Sequence, residues 1–245
     1  MTYCVAAALE DGLVFASDSR TNAGVDHINT YCKMHAFCWE GERVFVLLSA
    51  GNLATTQAVT HRLTRDLDQP DAPMNLRKAR DMHEAADYVG EVSAQTQKRQ
   101  ESLAGASANF SATFILGGQI GRADPDLLLI YPEGNYIHYS PERPFLQVGE
   151  TKYGKPVLDR LITWDLSLPA AARCILVSLD GTMRSNLTVG PPIDLLVYTR
   201  NSLTIQRRLR YKANSSTLSS LRKHWNEGLK KAFLDLPPFD WEKTG

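Results

Sequence analysis

Four or five amphipathic helical stretches interrupt a chain otherwise built of apolar strands joined by tight turns. That arrangement constrains the fold more than any other feature. Sheet faces alone cannot bury so many helix stripes. Two stacked sheets with a helix layer outside each would bury every apolar face. The expectation is therefore an α+β fold, a four-layer αββα sandwich, over residues 1–245 as one domain. Strictly alternating βα units are missing, which excludes a nucleotide-binding doubly wound sheet or a (β/α)8 barrel.

The elements follow from local pattern. Tyr3–Leu9 and Leu13–Ser17 are apolar runs around the turn dipeptide Asp11-Gly12, a hairpin signal. Asp18 to Thr30 is polar and turn-rich, with Asn22 and Gly24. Tyr31–Trp39 and Arg43–Ala50 read as a second strand pair around Glu40-Gly41-Glu42. Gly51 ends that pair, and Asn52 is a helix cap. Helical spacing runs from Leu53 to Leu67 and from Leu76 to Leu103, where Met82, Ala85, Ala86, Val89 and Val92 form a stripe. After the loop Gly105–Asn109, strands are expected at Phe110–Gly117, Asp126–Tyr131, Asn135–Ser140 and Phe145–Gly149. Helices at Tyr153–Asp165 and Pro169–Asn186 follow, then a hairpin of Ile193–Arg200 with Leu203–Lys212 around Asn201-Ser202. A last helix spans Ser216–Leu234, with Leu218, Leu221, Trp225, Leu229 and Phe233 in register, before a Pro-rich aromatic tail.

Composition removes several function classes. Lys and Arg number 27, as do Asp and Glu, so no chain-wide charge grips nucleic acid or an anionic membrane. The run Arg207-Arg208-Leu209-Arg210 suits the solvent face of a strand. No segment reaches the roughly 18–20 apolar residues of a membrane-spanning helix, and no signal peptide opens the chain. Cys4, Cys32, Cys38 and Cys174 lack CxxC spacing and read as buried free thiols of a reducing cytoplasm. The histidines show no paired ligand spacing, so no metal is expected, and no cofactor motif occurs.

Chemistry centres on Thr2. Removal of Met1 would leave a terminal Thr whose hydroxyl is a nucleophile and whose α-amine, of ordinary pKa about 7.7–8.0, is its base. Residues 2–39, TYCVAAALEDGLVFASDSRTNAGVDHINTYCKMHAFCW, closely resemble the N-terminus of proteasome β-subunits. LLSAGNLATTQ and NLTVGPPIDLLVYT extend the resemblance. Within that superfamily of N-terminal-nucleophile (Ntn) hydrolases, the sequence is most similar to the bacterial proteasome homologues of the Anbu, or ancestral β-subunit, type.

The resemblance implies roles. Thr2 matches the nucleophile, Asp18 and Lys33 the charged pair beside it, and Gly51 the oxyanion-hole glycine. A Lys⁺ near the α-amine disfavours its protonated form. Arg20 matches a structural arginine. The chain departs from the β-subunit pattern where Asn186 replaces an Asp, and where Gly149-Glu150 stands for a turn with Ser; Glu150 is a candidate substitute carboxylate.

The expected activity is cleavage of peptide bonds in peptides or unfolded proteins. The expected partners are further copies of the chain in a homo-oligomeric ring or open helical ring. An unfoldase partner is not identified by any motif. Two other readings stay open: an Ntn amidohydrolase or transferase acting on small amides, and a catalytically weak ring-forming scaffold.

Overall fold

The structure is a computed structural model and describes residues 1–22, 28–104 and 108–242. Gly24 and residues 105–107, assigned above to turn and loop, lie outside the described residues.

β1 (Tyr3–Leu9) and β2 (Gly12–Asp18) form the expected hairpin. A Cβ at Gly12 would lie 2.0 Å from the Tyr198 carbonyl oxygen, and φ there is +144°, so this turn takes glycine. The stretch after Asp18 carries two short paired strands that its polar composition concealed, β3 (Arg20–Asn22) and β4 (Ile28–Thr30). β5 (Met34–Trp39) and β6 (Arg43–Gly51) follow. α1 (Leu53–Asp68) is capped by Asn52, whose side chain accepts the Thr55 N–H at 3.2 Å. α2 (Met82–Ala104) starts six residues later than periodicity indicates. Leu76 is nonetheless fully buried, so its apolar signal came from a packed turn.

The remaining strands are β7 (Ala112–Ile120), β8 (Asp126–Ile130), β9 (Tyr136–His138) and β10 (Phe145–Gly149). α3 (Lys155–Leu161) is shorter than expected at both ends, and α4 (Leu168–Ser185) carries Pro169 in its first turn. β11 (Ile193–Thr199) pairs with β12 (Arg207–Tyr211), and α5 (Ser216–Leu234) closes the fold. β12 begins four residues late because Asn201 and Leu203 take positive φ and lengthen the turn.

Among the described residues all strand pairing is antiparallel, in the two-stranded β3–β4 sheet and two five-stranded sheets ordered β10-β1-β2-β11-β12 and β5-β6-β7-β8-β9. The two-residue period of β1 sorts its side chains. Tyr3, Val5, Ala7 and Leu9 pack with Leu158, Ile175 and Leu179 of α3 and α4. Cys4, Ala6 and Ala8 face Met34, Val46, Leu48 and Ile115 of the second sheet. Phe45, Leu47, Phe114 and Leu116 pack with Val59, Leu63, Ala85 and Val89 of α1 and α2. β1 is thus covered on both faces, which explains its unbroken apolar run.

Two expectations are corrected. Cys4 and Cys174 are buried free thiols, but Cys32 is exposed and Cys38 half-buried, because they sit on the short connection and strand beside β12, near the surface. The α5 stripe is only partly used: Leu218 is buried, whereas Leu229 and Phe233 are exposed. No described helix is long and apolar enough to cross a membrane.

Candidate active site

The C-terminal end of β2 carries Asp18, and β1 beside it starts at Tyr3. Asp18 is fully buried and is surrounded by donors. Lys33 Nζ donates to its Oδ1 at 2.8 Å, the Tyr3 N–H to the same oxygen at 3.0 Å, and the Gly190 N–H to Oδ2 at 3.2 Å. Lys33 is buried too, rather than facing solvent, and its third-strand neighbour supplies a second acceptor: the Arg20 carbonyl at 2.7 Å. Burial pushes the Asp18 carboxyl above its ordinary pKa, opposed by the Lys33 charge and hydrogen bond and by the two backbone donors.

Thr2 is half-buried at the mouth of this pair. Its carbonyl accepts the Glu150 N–H at 2.7 Å. Gly149 lies so close that a Cβ there would be 2.0 Å from the Thr2 carbonyl oxygen. The amine at Met1 is held below its ordinary value by burial first and by Lys33 second, with Asp18 and Glu150 acting the other way. The terminus and the Asp18–Lys33 pair therefore share one electrostatic environment.

Gly51 ends β6 at φ +113°, opposite Ala112, where a Cβ would fall 2.3 Å from the Ser111 carbonyl oxygen. Gly51 and Gly149 line one cleft of about 490 Å³, with Ser111, Thr113, Gln147 and Thr151. Through Gly149 the cleft abuts Thr2. A larger apolar cavity of about 1,110 Å³ between α4, α5, β11 and β12 contains none of these residues. Gly51 and Gly149 line the smaller cleft and Thr2 borders it, so it is the candidate site.

The supporting residues meet in a second layer. Asn186 Nδ2 donates to Glu150 Oε2 at 3.0 Å, while Asn186 Oδ1 accepts the Thr188 N–H at 3.0 Å. Arg20 Nη1 donates to the Leu187 carbonyl at 2.6 Å. The structure thus brings together Thr2, Asp18, Lys33, Arg20, Glu150 and Asn186, with Gly51 across the cleft.

Sequence reasoning did not single out Gly149 or Gly190 for a structural part. At Gly190 a Cβ would lie 2.4 Å from the Arg20 guanidinium carbon, so glycine there lets Arg20 lie against the loop 186–190 in its present position. Asp194 was also missed: it is buried, accepts from Ser19 Oγ at 3.1 Å and pairs with Arg210 at 3.2 Å. An acidic residue inside the apolar run Ile193–Tyr198 was its only signal.

No protein-family model matches the chain. No curated protein matches it. Solved structures do. The Anbu of Yersinia bercovieri is 43% identical, with a TM-score of 0.92, over 98% of this chain and 100% of that one. The Anbu of Pseudomonas aeruginosa, solved as a helical assembly, is 45% identical with a TM-score of 0.92, over 97% and 98%. A Gly-1 mutant of the Anbu from Hyphomicrobium sp. strain MC1 is 45% identical with a TM-score of 0.91, over 98% and 100%.

Proposed function

Because the chain belongs to the Anbu family of proteasome homologues, we propose that it is a threonine-type peptidase using Thr2 after removal of Met1. The observation that carries this reading is the buried Asp18–Lys33 pair, which also holds the Tyr3 N–H, one residue from Thr2. The two sheets and their helices are read as the αββα layers of an Ntn hydrolase, one domain over residues 1–245.

In this reading the Thr2 hydroxyl oxygen attacks the substrate carbonyl carbon, and its proton passes to the Thr2 α-amine, directly or through water. Lys33 disfavours the protonated amine, and Asp18 orients Lys33. The Gly51 N–H receives the developing oxyanion. The leaving amine takes the proton from the α-amine, leaving an ester on Thr2 that water hydrolyses. Arg20, Glu150 and Asn186 hold the loop and the carbonyl of Thr2 in place. The chain assembles with copies of itself, as the Pseudomonas protein does in its helical assembly.

A second reading keeps the nucleophile but changes the substrate to small amides. The Glu150–Asn186 hydrogen bond favours keeping it, since it stands where the β-subunit pattern has a different carboxylate. Intact mass and a β-lactone probe test both. Loss of one methionine and a single adduct at Thr2 are expected. Full retention of Met1, or labelling that survives Thr2→Ala, would overturn the nucleophile and leave a scaffold. Turnover of γ-glutamyl amides but not of a peptide library would select the second reading.

A further inference from the structure

At the opposite end of the second sheet from Gly51, three side chains from separate elements meet. They are His83 on the first turn of α2, Asp126 at the start of β8 and His138 at the end of β9. Gly51 faces Ala112 and Asp126 faces Gly118 on β7, so the two sites lie six residues, or about 20 Å, apart along that strand. One donor atom from each residue falls within 4.8 Å of the others. We propose that His83, Asp126 and His138 bind a divalent transition-metal ion, of which Zn²⁺ best suits the donor set.

The chemistry is two imidazoles and one carboxylate, a set favoured by Zn²⁺, Ni²⁺ or Cu²⁺ over Mg²⁺ or Ca²⁺. Zinc takes nitrogen and oxygen at about 2.0–2.2 Å, which in a tetrahedron puts neighbouring donors about 3.4 Å apart. His138 Nδ1 already stands 3.3 Å from both Asp126 oxygens. The His83 ring must close only the remaining gap, and its exposure leaves it free to turn. Tyr136 flanks both imidazoles: the His83 and His138 ring centres lie 4.8 Å apart, the Tyr136 ring packs against each, and its hydroxyl is 3.4 Å from His83 Nδ1. The Leu127 N–H donates to Asp126 Oδ1 at 2.8 Å and holds the carboxylate. Three protein ligands leave a fourth position for water. The ion would tie α2 to the edge hairpin β8–β9.

No linear motif announces this site, since its members are separated by 43 and 12 residues. The expectation of no metal rested on linear spacing.

The test uses the untagged, full chain after chelation, carrying Cys32→Ser to remove the exposed thiol. Co²⁺ is titrated by visible absorption, with Zn²⁺ as competitor, and thermal melting is followed with Zn²⁺. One saturable site per chain is expected, with a melting temperature that rises with Zn²⁺ concentration. His83→Ala and His138→Ala, on different elements, should each weaken binding at least about tenfold and abolish the melting shift, with far-ultraviolet circular dichroism unchanged. No saturable binding would overturn the proposal. So would parental affinity in both folded variants, leaving an ordinary His138–Asp126 ion pair. Neither outcome depends on peptidase activity.

Discussion

Lys33 and Asp18 form an ion pair at 2.8 Å with side chains 6% and 0% exposed, and the same Asp18 oxygen holds the backbone of Tyr3. Removing one partner leaves a buried charge. Lys33→Met is expected to cost about 3–5 kcal/mol in urea unfolding. The double variant Asp18→Asn/Lys33→Met, which removes both charges but keeps an acceptor for the Tyr3 N–H, should recover part of that loss. A single-variant cost below about 1 kcal/mol would show that the pair behaves like a surface one.

Gly149 keeps the cleft open against Thr2. In Gly149→Ala, at φ +87°, the new methyl would meet the Thr2 carbonyl oxygen at 2.0 Å. The 2.7 Å bond from Glu150 N–H to that oxygen must then lengthen. We expect kcat to fall at least about tenfold through misplacement of Thr2. Unchanged kcat would remove Gly149 from the site.

Asn186→Asp would place a second carboxylate where Nδ2 now donates to Glu150 at 3.0 Å. Two neighbouring carboxylates cannot both ionise cheaply, so one folded-state pKa rises. The folded variant then holds a proton that the unfolded chain has released. Its stability should fall by about 1–2 kcal/mol as pH rises through the carboxylate range. Denaturant midpoints at pH 4 and pH 7, variant against parent, measure this; a parallel shift at both would argue against it.

Burial pushes the Tyr3 hydroxyl up to about 12, opposed by its hydrogen bonds with Ser178 at 2.6 Å and Gln147 at 2.5 Å. The folded chain keeps this proton when the unfolded chain, near 10, has lost it. Stability is therefore present below pH 10 and declines towards pH 12, by about 3 kcal/mol from this group. Tyr3→Phe should flatten the alkaline slope while lowering neutral stability by about 1 kcal/mol.

The Met1 amine is lowered by burial and then by Lys33. Once Met1 is removed, the α-amine belongs to Thr2, the neighbour of Tyr3, whose N–H Asp18 holds. The acid limb of kcat/KM should then lie below the ordinary α-amine range of about 7.7–8.0. A limb at or above that range would show that the amine is not the base.

Much of the fold was legible because burial leaves periodic marks. The stripe Met82, Ala85, Ala86, Val89 and Val92 is wholly buried, as its spacing requires. Ends were less legible. Leu76 signals a helix yet lies in a turn, and β3–β4 hides in a polar stretch, because a short hairpin leaves no alternation to count. The pattern at α5 marks an apolar face but not what covers it.

By itself the sequence determined the order of the strands and helices apart from β3 and β4, the glycine turn at Gly12 and the resemblance of the stretches around Thr2, Asp18, Lys33 and Gly51 to proteasome β-subunits. These depend on local periodicity and on residue type, which are carried by neighbours in the chain. Only the tertiary structure decided that Lys33 turns inward, that Gly190 closes on Asp18 across 172 residues, and that Asn186 reaches Glu150. It alone gathered His83, Asp126 and His138. Such contacts come from how two sheets and their helices pack, and packing is set by the whole set of buried faces rather than by any one segment.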